Sequence, residues 1–392
     1  MNSNIPETKQ KRIAIIGGGF GGLTLVHGLL DSNYQIILVD KNNYHQFQPL
    51  FYQIATAELE PSSISFPFRK IFQRNKNIHI RMTEVFSVNI QRNSINTGIG
   101  KIDYDFLVIA MGANTNFFGN KKIQTYSLPM KSVGEALDIR NKVLENYEKA
   151  LTTTDIDEQQ ALMNIAVVGG GPTGVEVSGT LAEMKIYILP KDYSELDFKN
   201  MQIFLIETSS KLLSTMSDIA SQKAELYLKR LNVKLLTNTS VKDYDGKIIT
   251  LSNGSRLHAK NLVWAAGVIG NKLEGIPNEV FVRNNRIKVD GFNKVEGLEN
   301  IYAIGHIAFM TEDRYPNGHP QVAQTAIQQA KRLATNLRNM EGKKVLEPFH
   351  YKDFGSLATI GKNLAVADLP YLKFQGLHGL RGYLFILWQL WG

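Results

Sequence analysis

Two stretches of this chain space their glycines to suit a diphosphate: Gly17-x-Gly19-x-x-Gly22 and Gly169-x-Gly171-x-x-Gly174. In such a turn the first glycine permits a tight bend and the second lets the backbone approach a pyrophosphate. The third lets the following helix pack close to the sheet. Free N–H groups at the helix start then face the diphosphate. Gly18, Phe20 and Gly21 complete the first turn, and each turn is followed by an acid that closes the next strand: Asp40 and Glu207. A carboxylate there accepts ribose hydroxyls and repels a 2′-phosphate, so Glu207 favours NADH over NADPH. Thr208, Ser209 and Ser210 follow without an Arg, and Lys211 is the nearby cation. One such motif also occurs as a plain turn; strand, helix and terminal acid together, found twice, argue against that here.

Glu176 is the candidate for chemistry. We expect it in the first turn of a helix whose positive end attracts phosphates, where a carboxylate competes with the ligand unless it points elsewhere. Two readings stay open: a group aimed at the reacting rings, or a helix-start acid that merely complements the dipole.

The elements that must position these residues repeat one grammar. RIAIIGGG (12–19) and NIAVVGGG (164–171) are β-branched runs ending in glycine. Helical stretches follow, over 22–30 and 175–189, and then the apolar runs that end at Asp40 and Glu207. Strand, glycine turn, helix, strand is the unit of a doubly wound parallel sheet. YDFLVIAMG (104–112), NLVWAAG (261–267) and ENIYAIG (299–305) read as further buried strands, 133–151 as a charged helix, and TTTDIDEQQ (152–160) as a connection. The expected fold is α/β, with two Rossmann-type dinucleotide-binding domains, the second inserted in the first. We place them at 1–120 with 291–350 and at 121–290, followed by a C-terminal membrane-docking segment over 351–392.

Composition narrows the chemistry. The chain has 392 residues, enough for two or three domains, with 43% hydrophobic and 20% charged residues. It has no cysteine, which excludes disulfides, thiolate metal sites, iron–sulfur clusters and dithiol redox relays; no metal is expected. Of the net charge of +8, +5 falls after Ala330, where nine Lys/Arg meet four Asp/Glu. Such asymmetry suits an anionic surface or is simply a solvated basic face. No nucleic-acid recognition module accompanies it, so nucleic acid is not expected as a partner. No secretory signal and no run of roughly 18 apolar residues is visible. The expected location is peripheral, on the cytoplasmic face of a bacterial-type cell membrane, with import after loss of a presequence left open.

The chain resembles the type II NADH dehydrogenases, single-subunit NADH:quinone oxidoreductases that pump no protons. The resemblance runs from about 12 to 375 and rests on GGGFGGL (17–23), FQPLFYQIAT (47–56), YDFLVIAMG (104–112), VVGGGPTGVE (167–176), WAAGV (264–268), YAIG (302–305) and AQTAIQQA (323–330). The glycine motifs alone admit the wider two-dinucleotide flavoprotein superfamily, whereas the QPLFYQIAT and AQxxxQQ segments are more particular. The resemblance implies FAD on Gly17–Gly22, Asp40 and Lys41, with further contacts near Val85, Ala110, Gly112, Gly305, His306 and Ala323. It implies NADH on Gly169, Gly171, Gly174, Glu207 and Gly267, with Glu176 beside the nicotinamide in NADH binding or proton transfer. Gln324 and Gln328 match a segment near the flavin and the quinone; a polar helix face capping the flavin is the alternative. Hydride would pass from NADH to the flavin and two electrons on to a membrane quinone.

Two departures stand out. The family normally has Asp where this chain has His306, and an imidazole offers fewer acceptor sites than a carboxylate, so weaker FAD retention is expected. The end of the chain, Leu384 to Trp391 with Lys373, His378 and Arg381 nearby, suits one interfacial segment rather than the family's two helices; a buried terminal helix or a homodimer contact is the alternative. Two other functions keep part of this pattern: a flavin-dependent NADH reductase with a soluble acceptor, and a flavin-poor NADH-binding regulator.

Overall fold

The computed structural model describes residues 3–369 and 373–376, with only the backbone for Lys373 and Phe374. The expected interfacial run from Leu384 to Trp391, with His378 and Arg381, lies outside the described residues. The chain divides into two compact units. One comprises Met1–Gln46, Ser65–Asn114 and Val268–Asp353; the other comprises Phe47–Ile64, Thr115–Gly267 and Phe354–Gly392. Where sequence reading drew boundaries at 121, 291 and 351, the units change over at 115, 268 and 354. The 47–64 segment, which carries all of FQPLFYQIAT, also goes with the second unit.

The first unit is built on five parallel strands in the order Ile301–Ala303, Phe106–Ile109, Arg12–Ile16, Gln35–Asp40 and Ile78–Met82. Runs such as RIAII and QIILVD are apolar throughout because both faces of the sheet are covered. Ile13, Ile15, Ile36 and Leu38 meet Leu25, Val26 and Leu29 of the Phe20–Leu29 helix, together with Ala330, Leu333 and Leu337 of the Ala323–Glu341 helix. Their alternates Ala14, Ile16, Ile37 and Val39 join a second core with Val88, Ile95 and Ile102 of a three-stranded antiparallel sheet. Each such fully buried Ile or Leu contributes roughly 1.5–3 kcal/mol.

The second unit repeats the order: Leu128–Pro129, Asn261–Trp264, Ile165–Val168, Ile203–Ile206 and Val233–Leu236, again all parallel. In both sheets the glycine-motif strand is central. The Pro172–Tyr187 helix packs on this sheet and also meets the short Phe51–Ala55 helix. The unit ends in an antiparallel sheet of Ser356–Ile360, Leu364–Asp368 and Lys373–Gly376. Its first strand lies on the Pro172–Tyr187 helix and its second on the Asp218–Arg230 helix. The polar stretch expected as a plain connection contains a helix, Ile156–Met163. Asp155 starts it by accepting the N–H groups of Asp157 and Glu158 at 2.9 and 3.3 Å; a good N-cap outweighs polar composition.

Helix starts sort the molecule. Among the described helices of eight residues or more, three begin on a side-chain cap: Ser132, Asp155 and Ser217 hold the helices at Val133, Ile156 and Asp218. The other three, at Phe20, Pro172 and Ala323, begin without one. Their first-turn N–H groups need partners from elsewhere.

Candidate functional site

In the first unit Gly17 bends at φ +101°, and a Cβ there would lie 2.5 Å from the Ala110 carbonyl oxygen. A Cβ on Gly18 would enter the Phe68 ring at 2.2 Å, and one on Gly22 would sit 1.8 Å from the Gly17 oxygen. Gly22 is therefore required chiefly by the turn's own carbonyl rather than by the sheet. Gly19 differs: a Cβ would meet nothing within 4 Å. The turn is closed around three of its glycines and open at the one expected to face a diphosphate. Gly21 faces Ile304 and Ala326, and Phe20 stands edge-on to His45 at 5.2 Å.

The second unit reproduces this nearly atom for atom. Gly169 has φ +111° and would clash with Ala265 O at 2.8 Å; Gly174 would clash with Gly169 O at 1.8 Å; Gly171 again faces open space. These cradles fit two dinucleotides: bare N–H groups, a glycine where backbone must approach phosphate, and an acid behind each turn.

The two acids hold their turns the same way. Asp40 accepts the Gly18 N–H at 2.7 Å and the Asn42 N–H at 2.7 Å. Glu207 accepts the Gly170 N–H at 2.5 Å, the Ser209 N–H at 2.6 Å and the Thr208 hydroxyl at 3.0 Å. Their proton affinities diverge. Burial pushes Asp40 above its ordinary value despite the donors from Gly18 and Asn42. Burial acts the same way on Glu207, but the donors of Ser209, Gly170 and Thr208 outweigh it and hold that carboxyl low. Lys211, the one cation expected near a 2′-phosphate, instead bonds Asp218 at 2.6 Å.

The remaining expected first-unit positions surround this turn or open the Ala323–Glu341 helix. Ala110 is buried, Gly112 turns at φ +68° into open space, Lys41 is exposed and Val85 is half-buried. Gly305, at φ +76°, packs on Ala326, and its N–H donates to Gln329 Oε1 at 2.7 Å. His306 follows in a short 3₁₀ turn, half-buried, its carbonyl accepting from Gln321 at 3.0 Å. Ala323 is the first residue of the uncapped helix, followed by half-buried Gln324. Gln328 turns its amide to the Lys352 backbone, donating at 2.8 Å and accepting at 3.0 Å, which occupies the side chain assigned to the quinone. In the second unit Gly267 turns at φ +71° against Phe118.

Sequence reading missed Gln329 and His45. Thr325, Gln329 and Leu333 share the buried helix face at four-residue spacing, a signal that could have picked Gln329 over its neighbour. His45 is buried with Nδ1 3.0 Å from the Gly18 carbonyl, and a lone histidine gives no such hint.

Glu176 corrects an expectation. Its helix begins at Pro172, so it stands in the second turn, beyond the reach of the helix-start dipole. It is 8% exposed, and burial pushes its carboxyl up to about 8, opposed only by the Thr359 N–H. That N–H donates to Oε1 at 3.5 Å. A dipole-complementing surface acid would be ionised and wet; this one is buried, and burial disfavours its ionised form.

Comparison with known proteins agrees with this geometry. A profile of the family described as pyridine nucleotide-disulphide oxidoreductase matches residues 11–330. The type II NADH:quinone oxidoreductase NdhA of Mycobacterium tuberculosis is 32% identical, over 93% of this chain and 80% of its own length. The structure of NDH2 from Plasmodium falciparum in complex with NADH superposes with a TM-score of 0.88 at 26% identity, covering 97% of this chain and 95% of that one. The sulfide:quinone oxidoreductase of Aquifex aeolicus shares the fold, at a TM-score of 0.77 and 19% identity. With no cysteine, members of this superfamily that react through a disulphide are not a template for its chemistry. The chain belongs to the pyridine nucleotide-disulphide oxidoreductase family and, within it, to the type II NADH:quinone oxidoreductases.

Proposed function

We propose that this protein oxidises NADH and reduces a quinone through one bound FAD, with the first unit holding FAD and the second NADH. The observation that carries the assignment is the pair of turns that are sterically full at Gly17, Gly22, Gly169 and Gly174 and empty at Gly19 and Gly171. When bound, FAD accepts a hydride from NADH and passes two electrons to the quinone. Gly18 to Gly22, Asp40 and Lys41 bind the adenosine diphosphate half of FAD, while Gly112, Gly305, His306 and Ala323 border its remaining length. Gly169 to Gly174, Glu207 and Gly267 bind NADH, the ionised Glu207 setting the preference over NADPH. Glu176 holds a proton beside the nicotinamide. Gln324, at the bare start of its helix, borders the quinone; Gln328 supports it by gripping the Lys352 backbone.

Seating on a membrane surface, at the cytoplasmic face, follows from the basic, aromatic C-terminal end of the sequence. Among the described residues no helix is long and apolar enough to cross a membrane. Purified protein should be yellow, be bleached anaerobically by NADH, and turn over with a short-chain quinone. Turnover with soluble acceptors alone would make it a reductase of another kind. Colourless protein that binds NADH without turnover, even with added FAD, would make it a regulator.

A further inference from the structure

Glu176 is held from outside its own helix. The Ser356–Ile360 strand lies against the Pro172–Tyr187 helix, and among the described residues it is an edge strand, paired with Leu364–Asp368. The approach is close because Gly179 has no side chain: a Cβ there would lie 2.6 Å from the Gly361 nitrogen and 3.1 Å from the Ile360 carbonyl carbon. This brings the Thr359 N–H onto the Glu176 carboxyl. The same residue then reaches in a second direction, its hydroxyl donating to Tyr52 Oη at 3.2 Å. Tyr52 belongs to the Phe51–Ala55 helix, which itself packs on the Glu176 helix. All three residues are less than a tenth exposed.

We propose that Tyr52 and Thr359 are positioning residues for Glu176: the Tyr52 hydroxyl, acting through Thr359, keeps the outward N–H of the strand on the buried carboxyl. Thr359 thus joins two helices through one strand residue, its backbone serving the acid and its side chain serving the tyrosine. No charged side chain among the described residues acts on Glu176. Glu183 and Lys185 on its own helix turn to the Lys362 N–H and the Met201 carbonyl. Lys234 of the adjoining sheet acts on Lys185. On the Asp218–Arg230 helix, Asp218 pairs with Lys211 and Glu225 with Lys229. Among the described residues the Thr359 donor is therefore the one polar contact that favours ionisation, and withdrawing it moves ionisation to higher pH.

The inference rests on the reading that Glu176 works as a proton-holding group beside the nicotinamide. The test follows the protonated-carboxyl infrared band of flavin-loaded protein without NADH across pH, assigned by its loss in Glu176→Gln. It is paired with the pH profile of quinone reduction. Tyr52→Phe and Thr359→Val should each move the band's titration and the alkaline limb of the profile upward together, by up to about one pH unit, the worth of one hydrogen bond. Turnover should fall about three- to tenfold with KM for NADH unchanged, and Thr359→Ser should restore the native profile. If the band titrates at the native pH in both variants while Glu176→Gln removes the limb, Tyr52 and Thr359 do not position the acid and the reading of Glu176 stands. If Glu176→Gln keeps the limb, that reading fails and the inference falls with it. Should Tyr52→Phe not fold, Thr359→Val alone decides.

Discussion

The two glycine turns are built alike and dressed differently. In each, a central strand bends through a positive-φ glycine, a third glycine clears the turn's carbonyl, and the second glycine faces open space. The difference lies in what covers the helix that follows. Gly28 of the first helix lets the Ala334 side chain of the Ala323–Glu341 helix approach its backbone. Gly179 of the second admits a strand backbone instead. Two residues past the third glycine the first unit has half-buried Thr24, whereas the second has buried Glu176. The covering strand brings a donor to that position, whereas the interior of a covering helix, with its N–H groups used internally, has none to offer. Phosphate binding is thus the shared grammar, and the ionisable group is an addition made possible by the cover.

If the turns are equivalent, Gly22→Ala and Gly174→Ala should damage their units equally. Each places a Cβ 1.8 Å from a carbonyl oxygen, so we expect losses of roughly 3 kcal/mol or more and poor expression, checked by thermal unfolding. One variant tolerated and the other not would break the equivalence. Glu176 should separate the units by pH. Its folded carboxyl is pushed up to about 8 from an ordinary 4.5, so between those values the folded chain keeps a proton that the unfolded chain has lost. Stability then falls as pH rises through that window. Glu176→Gln should gain on the native protein across it, on the order of 4 kcal/mol by pH 8, and level off above. Thr24→Val should show no such pH dependence in the same unfolding series.

The open glycines give a gentler and more selective test. Gly19→Ala and Gly171→Ala should both fold, since a Cβ meets nothing within 4 Å. Each fills the space where backbone would approach a diphosphate. The first should lose flavin while NADH binding stays near native, and the second should do the reverse. Each affinity should drop about tenfold or more, measured by flavin release and by NADH titration.

Much of this was legible because short-range geometry dictates it. Apolar runs that end in glycine and then acid have few other uses, and they located both sheets and both turns. Glu176 was put one turn too early, since Pro172 opens the helix and the sequence reading started it at Val175. The course of 47–64 was not legible: its place with the second unit depends on contacts of Phe51–Ala55 with helices that begin at 133 and 172. Gln329 was not picked out because the family segment was followed and the helix phase was not read. Thr359 was invisible for a general reason, that a backbone donor carries no residue signature.

His306 gives the smallest expected effect and tests whether the first unit's departure from its family stays local. The backbone there is fixed from both sides. The Gly305 N–H is taken by Gln329, and the His306 carbonyl accepts from Gln321. Replacing His306 by Asp therefore changes the side chain without re-aiming the turn. A carboxylate offers several acceptor sites where a neutral imidazole offers one, and one added charged hydrogen bond to a ligand hydroxyl is worth about 1.5 kcal/mol. His306→Asp should retain FAD about tenfold more tightly in a dilution or dialysis assay, with KM for NADH unmoved because the second turn is untouched. Equal retention would mean that the Gly17–Gly22 cradle and the bare start of the Ala323–Glu341 helix already supply what the family draws from its carboxylate. A changed KM for NADH would instead show that the two turns, so alike in construction, do not act independently.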